Sequence, residues 1–207
     1  MLVKEAKKIT GSMTRTSKMP GLSYSLPAWE CQVGAKLRAV KGSVCSGCYA
    51  LKGNYTRYPA IKAAQYYRLQ SLKDPQWIPA MVTQIKRQKY FRWHDAGDLQ
   101  SVQHLKNIME VCKLTPGTKH WLPTREVKYT RLMDPAIDPS NLKITISDHM
   151  IDQETHMKSW PFTSGVTTAD DATCPAPKQL DKNGQPHCKD CRACWDKDVA
   201  RVVYGKQ

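Results

Sequence analysis

Long apolar runs are missing from this sequence. No stretch of its 207 residues approaches the roughly 18 consecutive apolar residues that a membrane-spanning helix needs. The first ten residues, MLVKEAKKIT, contain no apolar segment of the kind found in secretory signals, so we expect a cytoplasmic protein with no membrane partner. Phosphate-binding loops, the G-x-G-x-x-G fingerprint and the nucleophile elbow are also missing, which argues against kinase, hydride-transfer and serine-hydrolase chemistry.

Acidic side chains are scarce in the first half of the chain. Residues 1–93 carry seventeen Lys and Arg against three Asp and Glu, whereas residues 94–207 carry fifteen of each. The whole net charge of +14 therefore belongs to the first half. A nucleic acid favours such one-sided charge because its bound phosphates release counterions, although an ordinary solvated surface would explain it equally well.

Hydrophobic residues make up 41% of the chain, enough for the core of one domain. We predict an α/β fold with a parallel sheet, because apolar strands alternate with segments of helical periodicity. The predicted helices are 61–72, 74–89 with Asp74 as N-cap, 99–112 and 126–132; the predicted strands are 90–93, 119–122 and 142–147. We divide the chain into a basic N-terminal arm (1–20), an α/β domain (21–169) and a cysteine-rich C-terminal segment (170–207).

Seven of the eight cysteines fall into two groups. The first group has the spacing C-x13-C-x2-C, and the second has C-x13-C-x2-C-x2-C; their members are Cys31, Cys45 and Cys48, and Cys174, Cys188, Cys191 and Cys194. Without an export signal, such clusters favour metal binding over disulfides. The eighth, Cys112, lies on the apolar face of the predicted helix 99–112, where we expect a core residue.

Two kinds of metal centre fit this spacing. Three cysteines at every third position suit an iron–sulfur cluster whose remaining ligand comes from elsewhere in the chain. Four thiolates also suit a structural zinc ion, which would staple residues 170–198, a stretch too polar to form a core. The spacing favours an iron–sulfur cluster over a zinc ion, because zinc sites usually take cysteines in separated pairs.

Ionisable residues follow the predicted strands. His94, Asp95 and Asp98 come directly after strand 90–93, and Arg125 follows the next strand. Loops at the carboxyl ends of parallel strands are where ligands bind, so these four residues are our candidate catalytic residues. The alternative is structural: Asp98 would cap the following helix and His94 would serve only as a hydrogen-bonding partner.

Five stretches carry a resemblance to a known family. They are GSVCSGCYALKGNY (42–55), YFRWHDAGDLQS (90–101), WLPTRE (121–126), CPAPK (174–178) and CRACWD (191–196). In this order they resemble the phage proteins called the gene product 88 family. The resemblance implies a phage-encoded protein made in the cytoplasm of an infected bacterium.

A looser resemblance, in architecture, is to radical S-adenosylmethionine enzymes. These place three cysteines in a loop near the start of a partial (β/α) barrel, where they bind a [4Fe–4S] cluster with one open iron. The resemblance implies a partial barrel here, with Cys31, Cys45 and Cys48 as cofactor ligands and S-adenosylmethionine as a possible further ligand. Thirteen residues separate Cys31 from Cys45, where that superfamily has three.

Three functional hypotheses follow. The first is an iron–sulfur protein with one or two [4Fe–4S] clusters, performing redox or radical chemistry on an unknown small molecule or with a redox partner. The second is a zinc-stapled basic protein that binds nucleic acid. The third is an electron-transfer or interaction module without its own substrate. Each is compatible with a homo-oligomer.

Overall fold

A computed structural model of the chain describes residues 1–131, 139–154 and 160–206. Its centre is an open sheet of six strands, all parallel, whose spatial order is the same as their order in the chain. The strands are β1 (Leu22–Tyr24), β2 (Tyr90–Trp93), β3 (Lys119–Thr124), β4 (Leu142–Ser147), β5 (Thr163–Thr167) and β6 (Arg201–Gly205). The predicted α/β fold with a parallel sheet is therefore confirmed.

One helix precedes β1, and the other described helices lie in the crossovers between β1 and β4. The helices are α1 (Val3–Thr10), α2 (Gln32–Leu37), α3 (Asn54–Arg57), α4 (Pro59–Ser71), α5 (Trp77–Ile85), α6 (Val102–Lys113) and α7 (Val127–Thr130). Short 3-10 turns cover Ala28–Glu30, Val44–Gly47, Tyr49–Leu51 and Ala176–Lys178. Within the described residues, no helix is both long and apolar enough to span a bilayer.

The predicted elements match the structure where the apolar pattern is strong. Strands β2, β3 and β4 and helices α4 and α6 fall where the sequence predicts them, within a few residues at their ends. The helix predicted at 74–89 is shorter, spanning Trp77–Ile85, and its N-cap is Gln76 instead of the predicted Asp74. The Asp74 carboxylate accepts a hydrogen bond from the Gln76 amide in the turn that precedes the helix. Residue 132, the end of the predicted helix 126–132, lies outside the described residues.

Three strands were not predicted from the sequence. β1 has only three residues, and β5 has the sequence TSGVT, which lacks both alternation and bulk. Both are stabilised by partners distant in sequence, which pattern analysis cannot detect. β6 lies inside the segment 170–207, so that segment contributes the sheet's last strand as well as the second cysteine group.

The two faces of the sheet differ in chemistry. One face packs against α5 and α6 and forms the hydrophobic core, whose members include Phe91, Trp93, Leu122, Ile144, Leu105, Ile108 and Cys112. The other face, which we call the polar face, carries Arg92, Trp121, Lys143, Thr145 and Ser147. Residues 193–199 of the cysteine-rich segment cover it, and the Trp195 indole donates a 2.9 Å hydrogen bond to the Phe91 carbonyl.

Residues 1–20, predicted as a basic arm, include the helix α1. Ala6 and Thr10 of α1 are fully buried. The Gln84 amide of α5 donates a 2.7 Å hydrogen bond to the Thr10 hydroxyl, so this helix packs on the same layer as α5.

Candidate metal centres

The first cysteine group lies in the crossover that follows β1. Cys31 directly precedes α2, Cys45 belongs to the 3-10 turn Val44–Gly47, and Cys48 directly follows that turn. The crossover begins at the carboxyl edge of the sheet, where the strands of a parallel α/β fold present their ligands. The three thiols are therefore carried by neighbouring elements at one end of the sheet.

Gly34 makes room for these thiols. A Cβ atom added at Gly34 would lie 2.9 Å from the Cys31 Cβ, 3.6 Å from the Cys45 Sγ and 3.8 Å from the Cys31 Sγ. The space beside the Gly34 backbone is thus shared by two thiols. Cys48 interacts electrostatically with both of them, so all three cysteines converge on this region.

Two contacts hold the first cysteine group against the sheet. The fully buried Glu126, after β3, accepts hydrogen bonds from the Gln32 and Val33 amides at 3.0 and 2.7 Å. The Val44 amide donates a 2.9 Å bond to the His149 carbonyl, after β4. The loops that follow β3 and β4 therefore position the segments that carry Cys31 and Cys45.

Asp98 and Arg125 face this group, as the sequence predicts for a site at strand ends. The Asp98 carboxylate accepts bonds from the Thr124 hydroxyl at 2.5 Å, the Leu99 amide at 2.7 Å and the Arg125 amide at 2.9 Å. Burial raises the pKa of Asp98 to about 6, against the lowering effect of these bonds.

Asp98 is not the cap of α6, because the Ser101 hydroxyl accepts the bond from the His104 amide there.

Asp95 is also at this edge, fixed by three hydroxyl donors. Its carboxylate accepts bonds from the Ser23 hydroxyl at 2.7 Å and the Tyr55 hydroxyl at 3.0 Å, and its carbonyl accepts one from Tyr49. Tyr49 follows Cys48 directly. The Asp95 carboxylate therefore links the end of β2 to the crossover that carries the cysteines.

His94 packs on the other side of the sheet from these residues. It has a left-handed backbone, with φ of 58°, and its ring centroid is 5.2 Å from that of His104 on α6. Burial lowers its pKa well below the ordinary value, and the neighbouring charges of His104 and Arg92 lower it further. Of the four candidate catalytic residues, the structure thus places Asp98 and Arg125 beside the first cysteine group, ties Asp95 to the same crossover through tyrosine hydroxyls, and directs His94 toward the helix layer.

The second cysteine group lines one small cavity at β6. The cavity has a volume of about 20 Å³ and is bordered by all four cysteines, with Trp195 and Val202 among its other walls. The Cys174 amide donates to the Val203 carbonyl at 2.9 Å, and the Cys188 amide to the Lys18 carbonyl at 2.8 Å. The segment is thereby tied both to the last strand and to the N-terminal residues.

Burial disfavours the thiolate form in both groups. It raises the pKa of Cys31, Cys45, Cys174 and Cys194, and it raises that of Cys188 to about 11, with the neighbouring thiols adding to the effect. Thiolates at neutral pH in such surroundings require a bound cation, which displaces the proton. As the side chains lie, no group of three or more His, Cys, Asp or Glu within the described ranges is arranged to hold a metal ion.

The residues fit a metal group to different degrees at the two sites. The ligands are all thiols, which soft metals and iron–sulfur clusters prefer. Beside Gly34 the side chains of Cys31 and Cys45 fill the space that a Cβ would need, so these two thiols lie close together. The second cavity holds only a water-sized group, so a four-iron cluster there would require the thiols to turn outward, more than a single ion would.

Arg92 on the polar face was missed by the sequence analysis. Its guanidinium stacks on Trp121, 4.7 Å from the ring centroid, and its buried Nε has no hydrogen-bond partner among the described residues. It interacts electrostatically with Asp95 beside the first group and with Cys194 in the second. The alternation of YFRW could have revealed it, because a strand with Phe91 and Trp93 in the core turns Arg92 to the opposite face.

The two cysteine groups have different neighbours in the structure. Each group's thiols interact electrostatically with one another, and the first group's neighbours are Asp98 and Arg125 whereas the second's are Tyr204 and Lys18. Cys112 belongs to neither group, because it is fully buried in the core on α6, as predicted.

Fold and sites together define an all-parallel α/β protein with two thiol-rich candidate metal centres. A family model described as gene product 88 matches residues 1–197, so the chain belongs to the gene product 88 family. This agrees with the resemblance that its five motifs indicate. No curated protein matches the chain, and no solved structure matches it.

Proposed function

We propose that this chain is an iron–sulfur protein with two separate centres. The first would be a [4Fe–4S] cluster held by Cys31, Cys45 and Cys48, and the second a centre held by Cys174, Cys188, Cys191 and Cys194. The observation that carries the proposal is the convergence of three thiols in the crossover after the first strand of a parallel sheet: Cys31 and Cys45 meet beside Gly34, and Cys48 interacts electrostatically with both.

Three thiolates leave one iron of a four-iron cluster without a protein ligand. That iron would supply a binding position for a small molecule and a path for electrons. The residues around it have separate tasks in this proposal. The guanidinium of Arg125 would offset the negative charge of the thiolates. Asp98, with its pKa raised to about 6, could hold or release a proton near neutral pH.

The second centre would have a different task, because four cysteines leave no open ligand position. A fully coordinated centre on the polar face suits electron transfer or structural stapling. The small size of its cavity favours a single zinc ion as the alternative occupant.

Anaerobic purification followed by iron, sulfide and zinc analysis tests both centres. We expect a brown protein with about eight iron and eight sulfide per chain if both centres are four-iron clusters. About four of each, with one zinc, would assign zinc to the second centre. Zinc alone, without sulfide and without iron uptake on anaerobic reconstitution, would contradict the iron–sulfur proposal.

Cysteine variants assign the ligands. Cys31→Ala should lose the iron of the first centre and retain the metal of the second, and Cys191→Ala should do the reverse. Cys112→Ala is the matched control, since it removes a buried thiol that belongs to neither group and should keep the full metal content. Loss of metal in Cys112→Ala with retention in Cys191→Ala would show that the ligand assignment is wrong.

A radical-type reaction at the first centre has its own test. Addition of S-adenosylmethionine to the reduced protein should change the electron paramagnetic resonance spectrum of the first cluster. The Cys31→Ala protein provides the background spectrum of the second centre. An unchanged spectrum would restrict the first centre to electron transfer or to another small-molecule ligand.

A further inference from the structure

The crossover that carries the first cysteine group is basic throughout. Residues 31–73, which we call the basic cap, contain eight Lys and Arg and no Asp or Glu. All of these residues are described, and six of the cations are exposed: Lys36, Lys41, Lys52, Arg57, Lys62 and Lys73. Within the part of the chain that the structure describes, none of the six forms an ion pair with a carboxylate.

Exposed tyrosines stand among these cations. Tyr49, Tyr58 and Tyr67 are 58%, 48% and 47% exposed, unusually open positions for large aromatic side chains. Tyr49 packs beside Tyr55, with ring centroids 6.0 Å apart, so its ring is held in place although it faces solvent. The basic cap therefore offers flat aromatic surfaces and unneutralised positive charge on elements that contact one another, from the turn Tyr49–Leu51 through α3 to α4.

We propose that the basic cap binds single-stranded nucleic acid. The sugar–phosphate backbone would follow the exposed cations, because each neutralised phosphate releases counterions. Unpaired bases would stack on Tyr49 and Tyr58, whose faces are available to any base. A duplex would leave these rings unused, since its bases are already stacked on one another. The proposal is independent of which metal the thiols hold, but it brings nucleic acid beside Cys45 and Cys48.

Fluorescence anisotropy with labelled oligo-dT and oligo-U tests the proposal. Strands of about 20 nucleotides exceed the roughly 4–16 nucleotide footprint of common single-strand binding folds. We expect saturable binding that weakens steeply with salt and is stronger than binding to a duplex of the same length. An oligo-dU strand of the same length differs from oligo-U only in its sugar, so comparison of these two distinguishes ribose from deoxyribose as the preferred sugar.

Two variants separate the charge contribution from the stacking contribution. The double variant Lys52→Glu with Arg57→Glu should make the negative slope of log affinity against log salt shallower by about 1.4. Each single-strand phosphate contact contributes about 0.7 to that slope, and the variant removes two contacts. Tyr58→Ala should weaken binding about fivefold or more while leaving the salt slope unchanged. The matched control is Lys106→Glu with Lys119→Glu, which makes the same charge change at exposed residues outside the basic cap.

Several results would overturn the proposal. Equal losses in the cap variant and in the control variant would mean that net charge alone attracts the oligonucleotide. Equal affinity for duplex and single strand would reject the stacking role of the tyrosines. Tighter binding to phosphatidylserine vesicles than to either oligonucleotide would assign the surface to a membrane. Iron content is measured on the same samples. A protein that contains iron but does not bind nucleic acid would therefore contradict only the nucleic-acid proposal.

Discussion

At the scale of single residues, Gly34 matters for the first cysteine group because it has no side chain. Its backbone has an ordinary helical conformation within α2, so its importance does not come from a special φ angle. Its importance comes from the 2.9 Å approach that a Cβ would make to the Cys31 Cβ, which real Cβ atoms essentially never show. One added methyl group would push Cys31 away from Cys45.

We therefore expect Gly34→Ala to lose the iron of the first centre while keeping that of the second. The measurement is iron per chain after anaerobic reconstitution, which should fall by about half if both centres are four-iron clusters. Gly47→Ala is the matched control: it lies between Cys45 and Cys48, but nothing stands within 4 Å of an added Cβ. Equal iron content in the two variants would argue against a site beside Gly34.

At the scale of secondary structure elements, Lys143 on β4 holds the cysteine-rich segment against the polar face. Its ammonium donates to the carbonyls of Ala193, Asp196 and Val199 at 2.8, 2.6 and 2.7 Å. The side chain is only 2% exposed, so water cannot replace these bonds. A single buried cation therefore satisfies three carbonyls of a segment that has few apolar residues with which to pack.

Lys143→Met should detach this segment. Hydrogen bonds to a charged group contribute about 1.5–3 kcal/mol each, so we expect a loss of several kcal/mol in local stability. Amide hydrogen exchange in residues 193–199 should accelerate strongly, with little change in α5 and α6. Lys197→Met is the control, since that ammonium makes one bond of 3.3 Å, to the Pro139 carbonyl. If exchange in the segment stayed at the wild-type rate, Lys143 would not be its anchor.

Sequence periodicity detects the elements that turn one apolar face to the core. The strands β2 and β4 and the helix α6 were predictable because their apolar spacing reports the core they face. The cysteine spacing predicted two groups, and strand endings predicted that Asp98 and Arg125 would meet at one edge. The polar face was predictable only in part: the alternation of YFRW turns Arg92 away from the core, but the partners that stabilise Arg92 and Lys143 lie over 25 positions away in sequence. His94 was misjudged in orientation because its positive φ cannot be inferred from sequence.

At the scale of the whole molecule, buried histidines make the stability of the fold depend on pH. Burial lowers the pKa of both His104 and His120 to about 3, whereas an unfolded chain protonates histidine near 6.5. Above about pH 6.5 both states are neutral and these residues contribute no pH dependence. As the pH falls from 6.5 toward 3, only the unfolded chain takes up protons, so the free energy of unfolding decreases.

The expected slope is about 1.4 kcal/mol per pH unit for each such histidine. Urea denaturation between about pH 6.5 and pH 5 should show it, and His120→Gln should reduce the slope by about that amount. Glutamine does not titrate and can still bond the Thr115 hydroxyl, which lies 2.8 Å from the His120 ring nitrogen. An identical slope in the variant would mean that His120 is protonated in the folded protein too.

The agreement between strand order and chain order has a consequence for synthesis on the ribosome. Each strand finds its partner already made, so the sheet can grow in the direction of translation. The last contact that the first cysteine group needs is the bond from Val44 to His149. At about 5–20 residues per second, the stretch from His149 to Cys194 takes roughly 2 to 9 s to make. During that interval the first three thiols can already lie together while the second set is still incomplete, so under the proposed two-centre function the topology would let the first centre take up its metal before the second.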